Sequence, residues 1–284
     1  MKTSTTDLVL PPDAAVDLQL HTTYSDGTWL PEQLMDHVVS EGFGLVAITD
    51  HDRVDTVASL QRLALEKGLP VLAATEMSAS WRGGVTDILC FGFNASPNAL
   101  SELAQNVLHR QQENTREVYE NLLRKGYTFP QHEDALSTIL EQPSSQQPHA
   151  LVTLLKSTGE QAAGNIVWEA GCTFVTNEVA AIVEACHRSG AFCLVAHPGR
   201  EDGFVTYNIE LLDKLRQEAP IDGLEVYYPA HTPEQTAMFS DYAQWHNLLI
   251  SSGSDSHGLN KLPIKYPAEL SRTLLERVGI QIAS

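Results

Sequence analysis

The stretch AVDLQLHTTYSDG, residues 15–27, joins a short β-rich run to a histidine and then to a polar turn. Residues 15–20 have the composition of a buried strand, and His21 follows that strand directly. Asp26 lies in the turn, between Ser25 and Gly27. This stretch therefore predicts a buried strand that is followed directly by potential metal ligands.

The same unit recurs along the chain. Short apolar runs bounded by Gly, Pro or polar residues predict further strands over residues 45–49, 71–74, 192–196, 224–227 and 248–251. Helical patterns lie between several of them: residues 31–41 begin with a proline and end before Gly42, and residues 54–67 end before Gly68. Strands that alternate with helices predict an α/β fold, with a mostly parallel sheet closed or nearly closed into a barrel.

Potential ligands stand at or near the carboxyl ends of these strands, which is where barrels of this kind place their active sites. Asp255 and His257 are two residues apart, so their side chains point to the same face of an extended segment. A set of imidazoles and carboxylates suits zinc, manganese or iron, and Glu76 could bridge two ions. The side chains that we expect to converge are His21, His51, Glu76, His197, Asp255 and His257.

The alternation of strands and helices stops near Phe93 and resumes with a predicted helix over residues 177–189. Between them, residues 98–125 carry spaced Leu, Val and Tyr among polar side chains, which predicts a helix. We predict a barrel in two parts, residues 1–95 and 173–284, with a helical insertion over residues 96–172. An insertion rooted on the ligand-bearing face would cover the site, so we interpret it as a specificity cap.

The length of 284 residues and the 43% hydrophobic content fit one enzyme-sized unit with an ample core. A formal net charge of −18 argues against a broad basic surface for long nucleic acid, so an anionic substrate would be held locally. No opening run resembles a signal peptide and no apolar stretch approaches membrane-spanning length, which predicts a cytoplasmic protein without a membrane partner. The sequence carries no signal of an oligomeric state.

The four cysteines form no CxxC pair, and three of them lie in apolar or helical runs. We predict buried, reduced thiols, with zinc ligation or nucleophilic catalysis as the alternatives. The cysteines are Cys90, Cys172, Cys186 and Cys193.

Five segments together resemble the PHP (polymerase and histidinol phosphatase) family of metal-dependent phosphoesterases. They are LHT with SDG (residues 20–27), TDHD (49–52), ATE (74–76), AHPGR (196–200) and SDSH (254–257). The resemblance spans nearly the whole chain. It implies a distorted, TIM-like (β/α)7 barrel that binds two or three divalent metal ions, Mn, Zn or Fe.

The resemblance also implies which residues bind each ion. These are His21, Glu76 and Asp255 for the first ion, Glu76, His149 and His197 for the second, and Asp26, His51 and His257 for the third. His149 lies at the end of the predicted insertion and comes only from the family pattern. Taken alone, it would be interpreted as a histidine at the start of a helix.

The chain departs from the family pattern at two positions. The family usually opens with His-x-His, whereas here Gln19 precedes Leu20 and His21, so the first ion loses an imidazole. An amide oxygen binds late transition metals less strongly than imidazole does, which predicts a weak first site or a different metal there. Asp87 stands where close relatives often carry histidine, so it is expected to alter the surroundings of the ligands.

Three further residues are candidates for roles beside the metals. Arg200 is the candidate phosphate clamp, because a guanidinium can bind two oxygens at once, and a surface arginine is the alternative. His231 is a candidate to bind phosphate or to protonate the leaving oxygen, with a solvated loop histidine as the alternative. Asp50, beside His51, is interpreted as a residue that orients a ligand rather than one that binds metal.

Within the family, the chain resembles the subgroup that acts on small nucleotides, which includes nucleoside 3′,5′-bisphosphate phosphatases and a 5′-to-3′ exonuclease of short RNA. The resemblance implies that a metal-bound hydroxide hydrolyses phosphate esters of nucleoside 3′,5′-bisphosphates or short oligoribonucleotides. Two alternatives stay open. One is a histidinol-phosphate-type phosphatase that acts on a small metabolite, and the other is a non-catalytic metal-binding module, which the departure at Gln19 would favour.

Overall fold

The computed structural model describes residue 5 and residues 7–93, 97–129 and 134–284. Its strands are β1 (Val9–Leu10), β2 (Ala15–Leu20), β3 (Leu45–Ile48), β4 (Val71–Leu72), β5 (Ala74–Trp81), β6 (Gly84–Phe91), β7 (Asn177–Glu178), β8 (Phe192–Val195), β9 (Gly223–Tyr227), β10 (Leu249–Ser252), β11 (Tyr266–Pro267) and β12 (Gln281–Ile282). Its α-helices are α1 (Pro31–Ser40), α2 (Val57–Glu66), α3 (Ala99–Arg124), α4 (Ala135–Leu140), α5 (Gln147–Ser157), α6 (Ala163–Glu169), α7 (Val179–Arg188), α8 (Ile209–Glu218), α9 (Pro233–Trp245) and α10 (Arg272–Arg277).

Hydrogen bonds organise these strands into three sheets. The largest sheet has the order β10-β9-β8-β6-β5-β7, the second has the order β11-β2-β3-β4, and β1 pairs with β12. Strands connected through helices are parallel to each other, as in the pairs β2–β3, β8–β9 and β9–β10. The α/β fold predicted from the sequence is therefore confirmed.

The β5–β6 hairpin interrupts the predicted alternation of strands and helices. Its loop consists of Arg82 and Gly83, with φ angles of 51° and 79°, between the paired residues Trp81 and Gly84. Two successive positive φ angles are the signature of a type I′ turn, which returns the chain antiparallel. As a result, β6 runs antiparallel to β5 and also to β8.

Two isolated parallel bridges join the two larger sheets. Leu20, the last residue of β2, pairs with Ser256, and His51 pairs with Glu76, the third residue of β5. Because these contacts are single bridges, the described strands do not form one continuous closed barrel. They do bring the ends of β2, β3, β5 and β10 side by side, and that arrangement positions the site.

The predicted strands are present, with small shifts at their ends. The run predicted over residues 71–74 is divided between β4 and the first residue of β5. The helix predicted over residues 54–67 begins at Val57 instead, because residues 54–56 form a turn. The helix predicted over residues 177–189 begins at Val179, after a two-residue strand.

Helices α3 to α6 pack around an apolar cluster of their own. Val118 and Leu122 of α3 lie in this cluster with Leu151 of α5 and Val167 of α6. Leu100, at the start of α3, belongs instead to the core beneath α7 and α8. The boundaries of the predicted insertion stay a prediction, and the first of them, at residues 95 and 96, lies outside the described residues. Within the described ranges, none of the helices combines the length and the apolar composition needed to cross a bilayer.

Candidate metal centre and active site

Side chains that lie on or just after six different strands meet in one cluster. His21 follows β2 directly, His51 lies three residues after β3, and Glu76 lies within β5. Parallel strands end on the same edge of a sheet, so ligands far apart in sequence become neighbours. The cluster contains His21, Asp26, His51, Glu76, Asp87, His197, Asp255 and His257.

The centre of the cluster is a buried triangle of His21, Glu76 and Asp255. His21 Nε2 lies 3.0 Å from Glu76 Oε2 and 3.2 Å from Asp255 Oδ1. Two positively charged or polar donors border the triangle: Gln19 Nε2 lies 3.0 Å from Glu76 Oε2, and Lys261 Nζ lies 2.9 Å from Asp255 Oδ2. The three atoms of the triangle are close enough together to ligate one cation.

A second group surrounds Asp26 at the more open side of the cluster. Asp26 Oδ1 lies 3.4 Å from His257 Nε2, and Asp26 Oδ2 lies 3.8 Å from His51 Nε2. His21 joins this group through its other nitrogen, because His21 Nδ1 lies 3.7 Å from Asp26 Oδ1. The His21 ring stacks between those of His257 and His51, with centroid distances of 4.1 and 4.9 Å. His21 thus faces two of the three expected ion positions.

The remaining group lies on the other side of Glu76. Glu76 Oε1 lies 3.1 Å from His197 Nε2, and Asp87 Oδ2 lies 3.8 Å from the same nitrogen. His51, Glu76 and Asp87 also have ligand atoms close enough together to hold one ion. The structure therefore brings Asp87 to the position where the sequence analysis expected a third ligand beside Glu76 and His197.

His149 is not brought into this group. It is exposed near the start of α5, and its ring lies 5.4 Å from the ring of Phe174. Among the described residues, the groups that could hold an ion do not include it. From the sequence, Asp87 was expected only to alter the surroundings of the ligands. Recognising the Trp81–Gly84 turn would have placed it opposite Ser78 on the hairpin.

Two buried carboxylates hold the loops that carry the ligands. Asp50 accepts three hydrogen bonds of 2.7 Å, from the backbone N–H and hydroxyl of Thr22 and from the hydroxyl of Ser25. Glu225 Oε2 accepts a hydrogen bond of 2.9 Å from the backbone N–H of His197. Asp50 therefore fixes the loop between His21 and Asp26, a supporting role of the kind expected from its place beside His51.

The backbone at the site is unusual. His197 and Asp255 have φ angles of 28° and 54°, and Asp52, next to His51, has a φ angle of 53°. Residues other than glycine rarely adopt positive φ, and they cluster at functional sites, where the surrounding structure compensates for the strain. Gly27 is required for a different reason: a Cβ there would lie 2.6 Å from the backbone of His21.

The carboxylates give the site a strongly negative field. Burial opposes protonation of His51, but the charges of Asp26 and Glu76 outweigh it and raise its pKa to about 9. Burial likewise opposes ionisation of Asp26, yet the neighbouring imidazoles hold its pKa well below the ordinary value. Asp87 behaves differently, because burial and the charge of Glu76 raise its pKa well above the ordinary value. A divalent cation would offset the carboxylate charges that now favour protonated imidazoles.

Several ligand atoms of the cluster are buried without a hydrogen bond. Within the part of the chain that the structure describes, Nδ1 of His21, Nδ1 of His51 and Oε1 of Gln19 have no hydrogen-bond partner. Buried polar atoms are almost always satisfied, so orphaned ones at a functional site indicate an ion or water. The donor set, the convergence and the orphaned nitrogens together fit a polynuclear site for divalent metal ions.

A cavity of about 920 Å³ opens above the cluster. Asp26, His51, His197, Asp255 and His257 lie on its wall nearest the cluster. Other parts of the wall carry two cations, several aromatic rings and residues from the helical segment. These lining residues are Arg200, Lys261, Phe204, Tyr228, Gln111, Ser144, Ser145, His149 and Phe174.

Arg200 and His231 occupy different positions relative to this cavity. The guanidinium of Arg200 lines it, packs 4.1 Å from the centre of the Phe204 ring and donates two hydrogen bonds to Asp202. His231 has both ring nitrogens engaged with backbone, since Nε2 accepts from Gly199 N–H and Nδ1 lies 3.0 Å from Val226 O. These contacts tie His231 to Gly199, in the loop that leads to Arg200.

The comparison with known families agrees with this geometry. The model of the PHP domain matches residues 17–155. The chain also resembles a solved structure from Bifidobacterium adolescentis, named as a proposed metal-dependent phosphoesterase. That match has a TM-score of 0.72 and 25% identity, and it covers 95% of this chain and 97% of the other.

Three curated relatives each match along most of the chain. The chain is 27% identical over 254 residues to the 3′,5′-nucleoside bisphosphate phosphatase of Chromobacterium violaceum, covering 86% of this chain and 87% of the relative. It is 25% identical over 247 residues to the 5′-3′ exoribonuclease of Haemophilus influenzae, covering 85% and 89%. It is 27% identical over 262 residues to the phosphoribosyl 1,2-cyclic phosphate 1,2-diphosphodiesterase of Eggerthella lenta, covering 85% and 94%.

These matches confirm the resemblance drawn from the sequence, including its subgroup. The carboxylates and imidazoles that the chain gathers at its strand ends are the groups such a protein needs for its metals. Residues 17–155 of the chain match the PHP domain, and the chain is a metal-dependent hydrolase.

Proposed function

We propose that this protein is a phosphoesterase that hydrolyses phosphate esters of small nucleotides, either nucleoside 3′,5′-bisphosphates or short oligoribonucleotides. The observation that carries the proposal is the cavity, which has a cluster of metal-ligand side chains at one end and Arg200 and Lys261 in its wall. Relatives named for nucleotide substrates support it, since they match along most of the chain.

The dimensions and lining of the cavity favour a small substrate. Its volume of about 920 Å³ lies at the upper end of the range for small-molecule sites, which is about 300–1,000 Å³. The aromatic rings of Phe174 and Phe204 offer faces for a base, and bases stack on aromatic side chains. The net charge of −18 and the confined cation pair argue against a long nucleic acid.

For the metals, we propose the three positions implied by the family with one change. The first ion would bind His21, Glu76 and Asp255, and the third would bind Asp26, His51 and His257, with His21 Nδ1 close by. For the second ion, the contacts favour Asp87 over His149 as the partner of Glu76 and His197. The ions would polarise the phosphoryl group and activate the attacking water.

The residues of the cavity wall would bind and orient the substrate. The Arg200 guanidinium can fork onto two phosphate oxygens if it exchanges the Asp202 carboxylate for the substrate, and that exchange replaces one charged partner with another. Lys261 would add a second positive charge beside Asp255. Phosphate esters repel carboxylates, so these cations lower the cost of bringing an anion to the cluster.

We also propose that the seven strands β2, β3, β5, β6, β8, β9 and β10 act as one distorted barrel. The parallel bridges support this, because they join β2 to the segment after β10, and the segment after β3 to β5. Residues 96–172 would then serve as a cap. The support for a cap is that Gln111, Ser144 and His149 line the cavity and that the Gln146 amide donates to Ser25 O, beside Asp26.

The test is hydrolysis by the manganese-loaded protein of a panel of four substrates, followed as release of phosphate or mononucleotide and, for the cyclic phosphate, as ring opening. The panel contains adenosine 3′,5′-bisphosphate, a short 5′-phosphorylated oligoribonucleotide, phosphoribosyl 1,2-cyclic phosphate and histidinol phosphate. We expect turnover of one of the first two, and a Glu76→Gln variant should lose it. Activity on histidinol phosphate alone would overturn the proposal in favour of a metabolite phosphatase. Fewer than two ions per chain with no activity would favour a non-catalytic module.

A further inference from the structure

A second group of metal-ligand side chains lies away from the cavity, at the amino ends of strands β8 and β9. His187 belongs to the last turn of α7, Cys193 is the second residue of β8, and Asp222 directly precedes β9. His197, in the catalytic cluster, follows the opposite end of β8. The two groups are therefore separated by the length of that strand.

The three ligand atoms form a compact triangle. His187 Nε2 lies 2.9 Å from Asp222 Oδ2, Cys193 Sγ lies 3.2 Å from the same oxygen, and Cys193 Sγ lies 3.7 Å from His187 Nε2. Tetrahedral zinc, with bonds of about 2.0–2.3 Å, separates its ligand atoms by roughly 3.3–3.8 Å. The triangle needs adjustments of only a few tenths of an ångström to accept such an ion.

More sulfur lies directly behind this triangle. Cys186 and Cys90 lie with Cys193 in the same buried core cluster, and Cys90 pairs with Cys193 across the β6–β8 ladder. All three cysteines are buried and reduced. Thiolate and imidazole ligands together select zinc over the hard cations, which prefer oxygen.

We propose that His187, Cys193 and Asp222 form a zinc site distinct from the PHP centre, with Cys186 as a candidate fourth ligand. The ion would tie the end of α7 to strands β8 and β9. It has a route in from solvent, because the side chains of His187 and Asp222 are 39% and 25% exposed. Binding displaces the Cys193 proton to solvent, and the cation then compensates the buried thiolate.

The experiment uses cobalt(II) in place of zinc in the intact protein. A cobalt–thiolate bond gives a near-ultraviolet charge-transfer band, and the described residues of the PHP cluster contain no sulfur ligand. We expect the band to appear when cobalt is added to metal-free protein. It should be lost in Cys193→Ala and lost or shifted in His187→Ala. The His187→Ala variant also guards against misfolding, because its side chain is partly exposed.

Cys172→Ala is the matched control, since Cys172 is buried in the cluster formed by α3 to α6, outside this group. It should keep the band, and it should keep the same zinc content as the unmodified protein. The Cys193→Ala variant should contain one zinc ion fewer per chain. Absence of a thiolate band in the unmodified protein, or an unchanged band in Cys193→Ala, overturns the proposal. Neither readout depends on phosphoesterase activity, so this proposal and the proposed function fail separately.

Discussion

Gln19 Nε2 donates a hydrogen bond of 3.0 Å to Glu76 Oε2, the same oxygen that lies 3.0 Å from His21 Nε2. The amide therefore already occupies one oxygen of a carboxylate that we assign as a ligand of two ions. Lys261 does the same for Asp255 on the other side of the triangle. At the first ion position, the protein supplies some of the positive charge that a metal would otherwise provide.

The first prediction concerns this amide. Gln19→His should raise the occupancy of the first ion, because an imidazole binds late transition metals more strongly than an amide does. Elemental analysis of the variant, after dialysis against limiting manganese or zinc, should show more metal per chain than the unmodified protein. Unchanged metal content would refute the idea that Gln19 limits binding.

The ligands of the second ion can be separated with two variants. Asp87→Asn should lower the metal content and reduce activity by about ten- to a hundredfold, because Asp87 is buried beside His197 and Glu76. His149→Ala should leave the metal content unchanged and alter mainly KM, since His149 lines the cavity away from these ligands. Elemental analysis and steady-state kinetics check both results, and the opposite outcome would restore His149 as the ligand.

Arg200→Lys should raise KM by about tenfold with a smaller effect on kcat. Lysine keeps the charge but loses the planar fork that binds two phosphate oxygens. Arg272→Lys is the control, because Arg272 forms comparable ion pairs with Glu269 and Glu276 outside the cavity. Equal KM values for Arg200→Lys and the unmodified protein would contradict the role as a phosphate clamp.

The metal-free protein should lose stability as the pH rises from about 6 to 9. The pKa of His51 is raised from 6.5 to about 9, so the folded state holds this proton more tightly than the unfolded chain does. The stabilisation, on the order of 3 kcal/mol, is complete below pH 6.5 and disappears as the pH passes about 9. Burial raises the pKa of Asp17 to about 7, which adds a loss of the same sign.

Urea denaturation in the presence of a chelator, at pH 6 and pH 9, measures this loss. Added manganese should reverse it, because metal binding requires neutral imidazoles and is favoured at the higher pH. A free energy of unfolding that stays level or rises with pH in the chelated protein would show that the carboxylates do not raise the pKa of His51 in the folded state.

Gly27→Ala should destabilise the protein by about 1–3 kcal/mol and weaken binding of the third ion. The added Cβ would lie 2.6 Å from the His21 backbone, which cannot move without shifting β2, so the loop with Asp26 must move instead. Gly164→Ala is the control, since nothing lies within 4 Å of a Cβ there and alanine favours its helix. Thermal unfolding and metal analysis of both variants test this.

The sequence could predict the positions of most of the side chains that converge, because these residues follow a short apolar run or lie in a turn that is visible locally. His21 after β2 and His51 after β3 are examples. Local patterns do not carry the register between strands, which decides the distances between side chains. That is why the pairing of Glu76 with both His21 and His197 emerges only from the structure.

Asp87 and His231 show which features the local sequence patterns could not predict. The two-residue turn at Arg82 and Gly83 went unrecognised, so β6 was not predicted, and Asp87 was expected only to alter the surroundings of the ligands. The contacts of His231 depend on how the loop after β8 folds back, and Gly199 N–H reaches the ring only in three dimensions. In both cases the missing information was the path of the backbone rather than the chemistry of the residue.

The two oxygens of Glu76 contact two histidines, one before and one after residues 96–172 in the sequence. Oε2 contacts His21, and Oε1 contacts His197. If the polypeptide were cut within that segment, the amino-terminal fragment would keep Glu76 and His21, and the carboxy-terminal fragment would keep His197 and Asp255. Neither fragment alone would carry all the ligands that we assign to any one ion of the PHP centre. Association of the two fragments should therefore depend on metal, because each of these ions would be bound by ligands from both of them.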